Sequence, residues 1–485
     1  MSAQAWPARA FAPQGERDVI VDRIDGRVPE ELRGTFYRIG PSTLAVGEDA
    51  NRHWFDGDGM ICAFQLAGGK VTFKNRFVDT PWYSQERAAG RRLFSSFAAL
   101  SPTLRGHLAR PKNPANTNVV PFGDRLLALY EAGRPFAVDP RSLETRCEES
   151  FEGSLPPWAT FSAHPHLDAK TGALVSVGLG VRASARGLHP VAETWEVARD
   201  GRARRGASIR LRHPDVIHSV GLTATKTVVV AGPYGLDMRA IPELLLRRRG
   251  LFDCAAWRPS DPLLVYVGDR GDRDGHGEGC VYELPTAFVI HVANAFDSGD
   301  DVVVDAVMHP DPGLIESIRL PFTDPVGRAG RLMRLRLGRD GRSSVEELSD
   351  VGMEFPTIRP DRDGAAHRFV YAGRFEKDGR IAATGSLLKI DTLTETTREL
   401  DLGDACIFGE PIFVPRENAR NGGRDAEDDG WVLTLGYDSS DHHSFLAILR
   451  ADTWEEVARL HLPFHVPMGL HASFVSRGAS SHAPG

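Results

Sequence analysis

Short runs of β-forming residues recur along the whole chain, and they constrain the fold more than any other feature of the sequence. Most are five to seven residues long and are bounded by Gly, Pro, Asp or Asn. The 49 glycines and 32 prolines are spread evenly between them. This alternation of strand and turn signals is typical of an all-β protein. Examples of the runs are Arg125–Tyr130, Ala173–Leu179, Thr227–Ala231, Leu263–Val267, Phe288–Val292, Val302–Val307 and Trp431–Leu435.

The even spacing of these runs favours a β-propeller over a β-sandwich, because short strands continue over most of the 485 residues. No blade motif such as a Trp-Asp dipeptide recurs, so the propeller would be irregular in sequence. We find no clear linker and expect a single domain over residues 1–485, with frayed ends at about 1–17 and 476–485. The polar stretch Arg416–Asp429 is interpreted as a surface loop between two strands.

Two segments, Arg92–Arg110 and Ile241–Phe252, interrupt the β pattern with helix-like apolar spacing beside basic residues. One interpretation is a pair of helices packed on the propeller face. The other is an amphipathic patch that rests on a membrane surface. The sequence alone leaves both interpretations open.

Charge and cysteine content exclude several classes of protein. A net charge of −7 and a pI near 6.2 argue against nucleic-acid binding, which needs a basic face to neutralise phosphates. Five widely spaced cysteines without a Cys-x-x-Cys pair predict reduced thiols in the cytoplasm, and neither disulfides nor a zinc–cysteine site. The N-terminus lacks the apolar core of a secretion signal, and no run approaches the ~18 apolar residues of a membrane span.

Four of the 17 histidines share a context, since each lies at or near the end of an apolar β run. They are His164, His218, His291 and His471. A buried imidazole without a partner costs free energy, and four of them are explained together if they converge on one metal ion. Their separations of 54, 73 and 180 residues exclude a zinc-finger loop, whose ligand pairs lie close in sequence. Such gaps suit a closed β architecture in which each blade sends one side chain to the axis.

Eleven sequence blocks, in order along almost the whole chain, resemble the carotenoid cleavage oxygenase family. This family includes carotenoid and apocarotenoid dioxygenases, stilbene-cleaving dioxygenases and retinoid isomerohydrolases. The blocks are ELRGTFYRIGPS, HWFDGDGMICAF, NRFVDTPWY, NPANTNVV, LLALYEAGRPFAVDP, SAHPHLDAKTG, HSVGLT, HVANAF, EFPTIRP, FGEPIFVPR and VPMGLHASF. The resemblance implies a seven-bladed β-propeller with a helical cap over its top face.

The resemblance also implies that His164, His218, His291 and His471 bind Fe(II). His164 is preferred over His166 because the family has a proline directly after this ligand. The family often has an acidic residue where this chain has Ser219, a departure beside a ligand but not at one. Zinc with four protein ligands tends to form closed sites, whereas six-coordinate Fe(II) keeps open positions for O2 or substrate.

Three glutamates and a threonine complete the implied site: Glu131, Glu354, Glu410 and Thr117. The glutamates are expected to accept hydrogen bonds from the ligand imidazoles. Such carboxylates fix the imidazole tautomer, make the ring more basic and offset the charge of the metal. Thr117 matches the position whose methyl group crowds one open coordination site.

The implied reaction is oxidative cleavage of a conjugated C=C bond of a carotenoid or apocarotenoid by O2, which gives two carbonyl products. We expect Trp54, Phe55, Tyr130 and Phe474 to contact the apolar substrate. Stilbene-cleaving relatives typically carry lysine where this chain has Tyr130, which favours an apocarotenoid, with a stilbene or phenylpropene as the alternative. An isomerohydrolase using the same iron without O2, and a propeller that only binds proteins, are further alternatives.

Overall fold

Seven antiparallel sheets, each of four to six strands, form the blades of a β-propeller in the computed structural model. The structure describes residues 8–168, 170–184, 187–271, 279–322, 327–416 and 427–477. The seven-bladed β-propeller confirms the predicted fold class. All seven β runs that the sequence analysis singled out lie in blade strands.

The first three blades take their strands from the N-terminal half and the last residues of the chain. In sheet order, blade 1 contains Arg17–Ile20, Lys70–Phe77, Gly59–Ala67, Gly34–Pro41 and Ala472–Ser476. Blade 2 contains Asn118–Phe122, Arg125–Leu129, Phe136–Val138 and Thr145–Glu148. Blade 3 contains His166–Leu167, Leu174–Ser184, Gly187–Val197 and Ala203–Arg210.

The other four blades follow along the chain. Blade 4 contains Val220–Leu222, Lys226–Ala231, Leu263–Asp269 and Cys280–Leu284, and blade 5 contains Phe288–Ser298, Asp301–His309, Arg331–Leu337 and Ser343–Glu347. Blade 6 contains Met353–Thr357, Phe369–Arg374, Ser386–Asp391 and Thr396–Asp401. Blade 7 contains Cys406–Phe408, Ile412–Pro415, Gly430–Asp438, His443–Arg450, Glu455–His461 and Arg23–Gly26.

Two blades join the ends of the chain and close the ring. In blade 1 the strand Ala472–Ser476 pairs with Gly34–Pro41, with Ala472 opposite Arg38. In blade 7 the strand Arg23–Gly26 pairs with Glu455–His461. Hydrogen-bonded strands from both ends of the chain thus hold the first and last blades together.

Apolar side chains between neighbouring blades form the core. Between blades 1 and 7, for example, Phe36, Phe64, Leu433 and Leu446 are fully buried in one cluster. A strand buried on both faces has the continuous apolar runs that the sequence shows, because both of its faces pack against other blades.

The remaining regular elements are short and lie outside the blades. Three two-stranded ribbons are Ala45–Val46 with Asp49–Ala50, Tyr234–Leu236 with Ala255–Trp257, and Glu376–Lys377 with Arg380–Ile381. The α-helices are Pro81–Ala89, Leu104–Leu108, Ile241–Leu245 and Gly313–Ser317. The 3-10 helices are Ala8–Phe11, Trp54–Asp56, Met238–Ala240, Phe252–Cys254 and Pro360–Arg362.

The two segments with helix-like spacing form less helix than the sequence analysis predicts. Within 92–110 only Leu104–Leu108 is helical, because Ser101 donates its hydroxyl to Leu93 O (2.7 Å) and Pro102 has no N–H for a helical bond. Within 241–252 the helix Ile241–Leu245 ends before Arg247, whose φ of 60° is left-handed. The cap over the cavity therefore consists mainly of loops and single helical turns.

His53 lies where the two cap segments meet. Its Nδ1 accepts a hydrogen bond from Phe55 N (3.1 Å), and its Nε2 donates to Ile315 O (3.1 Å). The ring is fully buried and lies 5.1 Å from the ring of Phe97 and 4.7 Å from that of Phe252. The two cap segments thus meet on one neutral imidazole.

The predicted frayed ends and surface loop are only partly within the described residues. Ala10 and Phe11 are buried, and Arg17 begins a blade strand, so the chain is ordered well before residue 17. At the other end the last blade strand reaches Ser476. Residues 417–426 of the predicted loop lie outside the described residues, and the strands on either side of it pair as a hairpin. Among the described residues no helix is both long and apolar enough to cross a membrane.

We expect stability to fall on acidification in a way that depends on His53. Burial lowers the pKa of His53 to about 4 in the folded protein, whereas an unfolded histidine titrates near ~6.5. Between these values the unfolded chain binds a proton that the folded protein does not, so the free energy of unfolding decreases as the pH falls. His53→Gln should reduce this pH dependence in urea denaturation between about pH 7 and about pH 5. An unchanged slope would contradict the assignment.

Candidate metal centre

The four predicted histidines lie at the propeller axis because each precedes or lies in the innermost strand of its blade. His164 and His218 each come two residues before such a strand, in blades 3 and 4. His291 is inside the innermost strand of blade 5, and His471 directly precedes that of blade 1. Innermost strands of a propeller surround its central channel, so the chain brings these distant residues to one point.

The ligand nitrogens of the four imidazoles all lie within 4.8 Å of one another. The Nε2 atoms of His164 and His218 are 2.8 Å apart, and those of His291 and His471 are 3.3 Å apart. Among the described residues this is the one His, Cys, Asp or Glu cluster with such a geometry. Lone pairs brought this close repel each other unless a cation lies between them.

Each of three histidines turns its Nδ1 toward a glutamate. His218 Nδ1 lies 2.9 Å from Glu131 Oε1, and His471 Nδ1 lies 2.9 Å from Glu410 Oε1. A third pair joins His291 Nδ1 to Glu354 Oε2 at 2.5 Å. Because Nδ1 carries the proton in such a pair, the Nε2 lone pair is free to bind a metal.

Backbone N–H groups hold the three carboxylates in place. Ala472 N donates to Glu410 Oε2 (2.7 Å) and Phe355 N donates to Glu354 Oε2 (2.8 Å). Ala163 N approaches Glu131 Oε2 at 3.4 Å. Two of these donors directly follow a residue of the site, so the same backbone that places the imidazole or carboxylate also orients its partner.

His164 and His166 have different surroundings. Among the described residues no carboxylate lies within 4.0 Å of the His164 ring, which belongs to the cluster. His166 Nδ1 is paired with Asp363 (2.8 Å), and its Nε2 donates to Val220 O (2.8 Å). Both nitrogens of His166 are therefore used within the protein, and the structure gathers His164 with the other three.

Burial lowers the pKa of two of the metal-facing rings and so keeps them uncharged at neutral pH. Burial and the three neighbouring imidazoles hold the pKa of His164 well below its usual range. Burial likewise lowers the pKa of His291 to about 4, against the opposing effect of Glu354. Although burial opposes its ionisation, His291 and His309 hold the pKa of Glu354 below its usual range. Neutral imidazoles beside an ionised carboxylate are the protonation states that a metal needs.

The donor set fits a divalent transition metal. Four neutral imidazole nitrogens suit iron, zinc or copper, and the three nearby carboxylates offset a charge of 2+. Four protein ligands leave two positions open on a six-coordinate ion such as Fe(II). The cavity described next lies beside three of the histidines, where exogenous ligands would have to enter.

An apolar cavity of about 410 Å³ adjoins the histidine cluster. His218, His291 and His471 line it together with Glu131 and Glu354. The rest of its wall is mainly aromatic and aliphatic: Phe11, Phe97, Tyr234, Phe252, Phe288, Ile290, Leu314, Phe355, Phe375 and Met468 are among the lining residues.

Three of the four residues that the sequence predicts to contact the substrate line this cavity, namely Trp54, Phe55 and Tyr130, and Thr117 lines it as well. Phe474 does not: it lies in a blade 1 strand, opposite Phe36, and packs against the core between blades 1 and 7. The structure therefore places Phe474 in the core between two blades and not beside the cavity, because alternation along its strand turns the side chain toward blade 7.

Phe355 is a cavity residue that the sequence analysis missed. Its φ of 56° is left-handed, which is strained for an aromatic residue. Its ring lies 5.3 Å from the rings of both His291 and His471. The motif EFPTIRP contains the signal, since Phe355 stands between Glu354 and Pro356. Phe11 had no such signal, because it reaches the cavity from the N-terminal segment through contacts with Trp54 and Phe322.

Comparisons with known proteins agree on one family. The family model described as RPE65, retinal pigment epithelial membrane protein, matches residues 11–476. Apocarotenoid-15,15'-oxygenase of Synechocystis sp. is 31% identical, over 98% of this chain and 96% of the relative. Resveratrol cleavage oxygenase 1 of Aspergillus fumigatus is 28% identical, over 95% and 93%. The crystal structure of cobalt-substituted Synechocystis ACO is 30% identical, with a TM-score of 0.83 over 96% of this chain and 98% of that one.

We expect His291→Ala to abolish metal retention in folded protein, because it removes one ligand and leaves Glu354 buried without its partner. The measurement is metal content by mass spectrometry after loading with iron(II) and desalting. His166→Ala is the matched control and should retain metal, since both ring nitrogens of His166 bond elsewhere. Equal metal content in the two variants would contradict the assigned site.

Proposed function

Because this chain belongs to the RPE65 and carotenoid cleavage oxygenase family, we propose that it is an iron(II)-dependent dioxygenase that cleaves a conjugated C=C bond of a carotenoid or apocarotenoid. The proposal rests on one observation: a cluster of four histidines, with three glutamates beside it, borders an apolar and aromatic cavity. A polar metal site beside such a cavity suits an oxidation of a substrate that is itself apolar.

The proposed reaction balances without a reductant. The C=C bond breaks, each of its carbons takes one oxygen atom of O2, and two carbonyl products form. Iron(II), when bound, supplies the activation of O2 that the side chains themselves cannot provide. The histidines would hold the metal, Glu354 and Glu410 keep the Nδ1 protons of His291 and His471 in place, and the carboxylate of Glu131 lies 2.9 Å from Nδ1 of His218.

The cavity wall would orient the substrate and exclude water. Phe355 packs against two of the ligand rings, so it limits access to the cluster from one side. Trp54 and Phe55 also line the cavity, and the ring of Phe11 packs edge-on against Trp54 at 5.0 Å. A dry aromatic channel favours a flat, extended polyene by stacking and by apolar burial.

One hydroxyl in the cavity supports a second candidate substrate, a stilbene or phenylpropene. Four hydroxyl side chains line the cavity, and three bond to the protein: Thr117 to Asn116 (3.1 Å), Thr160 to Leu179 O (2.8 Å) and Tyr234 to Glu316 (3.2 Å). Tyr130 has no hydrogen-bond partner among the described residues. Its hydroxyl is therefore available to a phenol or another oxygen group of a substrate.

Product analysis with two substrate classes tests the proposal. We expect iron-loaded protein to convert an apocarotenal into two carbonyl products with uptake of O2, and His291→Ala to be inactive. Tyr130→Phe separates the candidates, since it removes a single hydroxyl from the cavity. Turnover of an apocarotenal should persist in this variant, whereas turnover of resveratrol, if present, should fall by about 10-fold through loss of one hydrogen bond. Carbonyl products from resveratrol alone would replace the leading proposal with the second.

We also propose that the cap contacts a membrane surface near the cavity, on the basis of its exposed residues. Leu251 lines the cavity and is 46% exposed, so it marks a place where the cavity approaches the surface. Nearby in the chain, Leu245 and Leu246 are 69% and 61% exposed and precede three arginines. The other cap segment is attached here, because Phe252 N donates to Phe97 O (3.1 Å) and Arg247 donates to Ser101 O (2.7 Å). Exposed leucines beside arginines suit the surface of an anionic bilayer.

We expect the protein to float with vesicles that contain anionic lipid. The double variant Leu245→Ser, Leu246→Ser should float less, because it removes apolar area from the bilayer contact. Leu393→Ser is the matched control, since Leu393 is equally exposed (58%) but lies in blade 6 outside the cap. Equal flotation of the two variants would show that the cap does not make the contact.

A further inference from the structure

One of the three glutamates at the cluster differs from the other two. Glu131 and Glu410 each meet one ligand imidazole and one backbone N–H. Glu354 meets His291 and a backbone N–H through Oε2, and in addition its Oε1 lies 2.6 Å from Nε2 of His309. The carboxylate is thus shared between a metal-facing imidazole and a second imidazole that lies outside the cluster.

The strands of blade 5 place His309 beside Glu354. It ends the strand Asp301–His309 of blade 5, and its backbone pairs with Phe288, the first residue of the strand that carries His291. Its side chain is 1% exposed. Gly330 makes room for it, because a Cβ there would lie 2.8 Å from the imidazole Nε2. A side chain at position 330 would therefore collide with both Val307 and His309.

The hydrogen bonds also determine the tautomer of His309. An ionised carboxylate only accepts, so Nε2 of His309 carries the proton and donates it to Glu354. Nδ1 is then a bare acceptor, and it has no partner among the described residues. Burying an unpaired nitrogen is unfavourable, and an apolar side chain would fill this space without that cost. Packing alone therefore does not account for a histidine here.

We infer that His309 is a positioning residue that acts on the bound metal through Glu354. Its N–H holds the carboxylate in the orientation that aligns His291, and it takes up part of the carboxylate's negative charge. His291 is therefore paired with a shared carboxylate, while His218 and His471 each have an unshared one, and among the described residues no carboxylate oxygen lies within 4.0 Å of a ring nitrogen of His164. The four ligands consequently differ in how strongly they donate to the metal. The inference rests on the proposed function only in requiring that the cluster binds a divalent metal.

Two substitutions that differ by one methylene group test this inference. His309→Gln places an amide N–H about where Nε2 stands, so it can still reach Glu354. His309→Asn is equally polar but too short to do so. With cobalt(II) as the probe, we expect the Gln variant to keep the wild-type visible absorption spectrum and rate of metal release to a chelator. The Asn variant should show a changed spectrum and release cobalt about 10-fold faster or more, as for lost partners of metal ligands.

His367 provides a matched control elsewhere in the core. It is also buried, and its Nε2 lies 3.2 Å from Asp305, which is bound by Arg334 and does not touch the cluster. We expect His367→Asn to lower the thermal unfolding temperature and to leave the cobalt spectrum and the release rate unchanged. If His309→Asn behaves in the same way as this control, His309 has a purely structural role and the inference is wrong.

A double-variant cycle tests whether His309 acts through Glu354. In a Glu354→Gln background, the further change His309→Asn should have no added effect on the rate of cobalt release. Full additivity of the two effects would show that His309 acts by another route and would overturn the inference. The readout needs no substrate, so failure to cleave any polyene would count against the proposed function and leave this test unaffected.

Discussion

Each metal-facing nitrogen of three ligands depends on a proton held on the far side of its ring. Glu354 and Glu410 accept that proton from Nδ1 of His291 and His471 and so leave Nε2 free toward the axis, and Glu131 faces Nδ1 of His218 at 2.9 Å. A neutral imidazole without such a partner can carry its proton on either nitrogen and is free to rotate. The carboxylates fix both the protonated nitrogen and the orientation of the ring, and backbone N–H groups hold the carboxylates in place. The site is therefore a set of connected hydrogen bonds, and its geometry depends on the strands that provide both ends of each bond.

The propeller separates these polar groups from its apolar core. The polar groups occupy the axis, while the apolar clusters lie between the blades. The cavity joins the two environments. Its wall comes from the cap and from residues near the blade ends, and these are distant in sequence: Phe11, Trp54, Phe97, Phe252 and Met468 meet in one apolar cluster. His53 lies among the cap aromatics and bonds to Ile315 O, so the cap is held by a directed hydrogen bond as well as by apolar contacts.

Local patterns predicted the blades well and the cap poorly. Every highlighted β run became a blade strand, because short apolar runs between glycines and prolines have few alternatives to a buried strand. The segment 92–110 has helical spacing, yet its serine side chains bond to the backbone and leave one short helix, Leu104–Leu108. Phe474 was misplaced for a similar reason: its position in a conspicuous motif says nothing about which face of the strand it occupies. Strand register sends it into the core opposite Phe36.

The sequence by itself determined the strand-rich architecture and the identity of the histidines and glutamates, since each of these stands in its own motif. Only the tertiary structure decided how they combine. Convergence of His164, His218, His291 and His471 requires four blades to meet at the axis, and no local signal encodes distances across such gaps. The sharing of Glu354 between His291 and His309 likewise depends on the pairing of two strands and on the space beside Gly330. Hydrogen bonds of this kind act over about 3 Å, so they exist only once the folded backbone has brought their partners together.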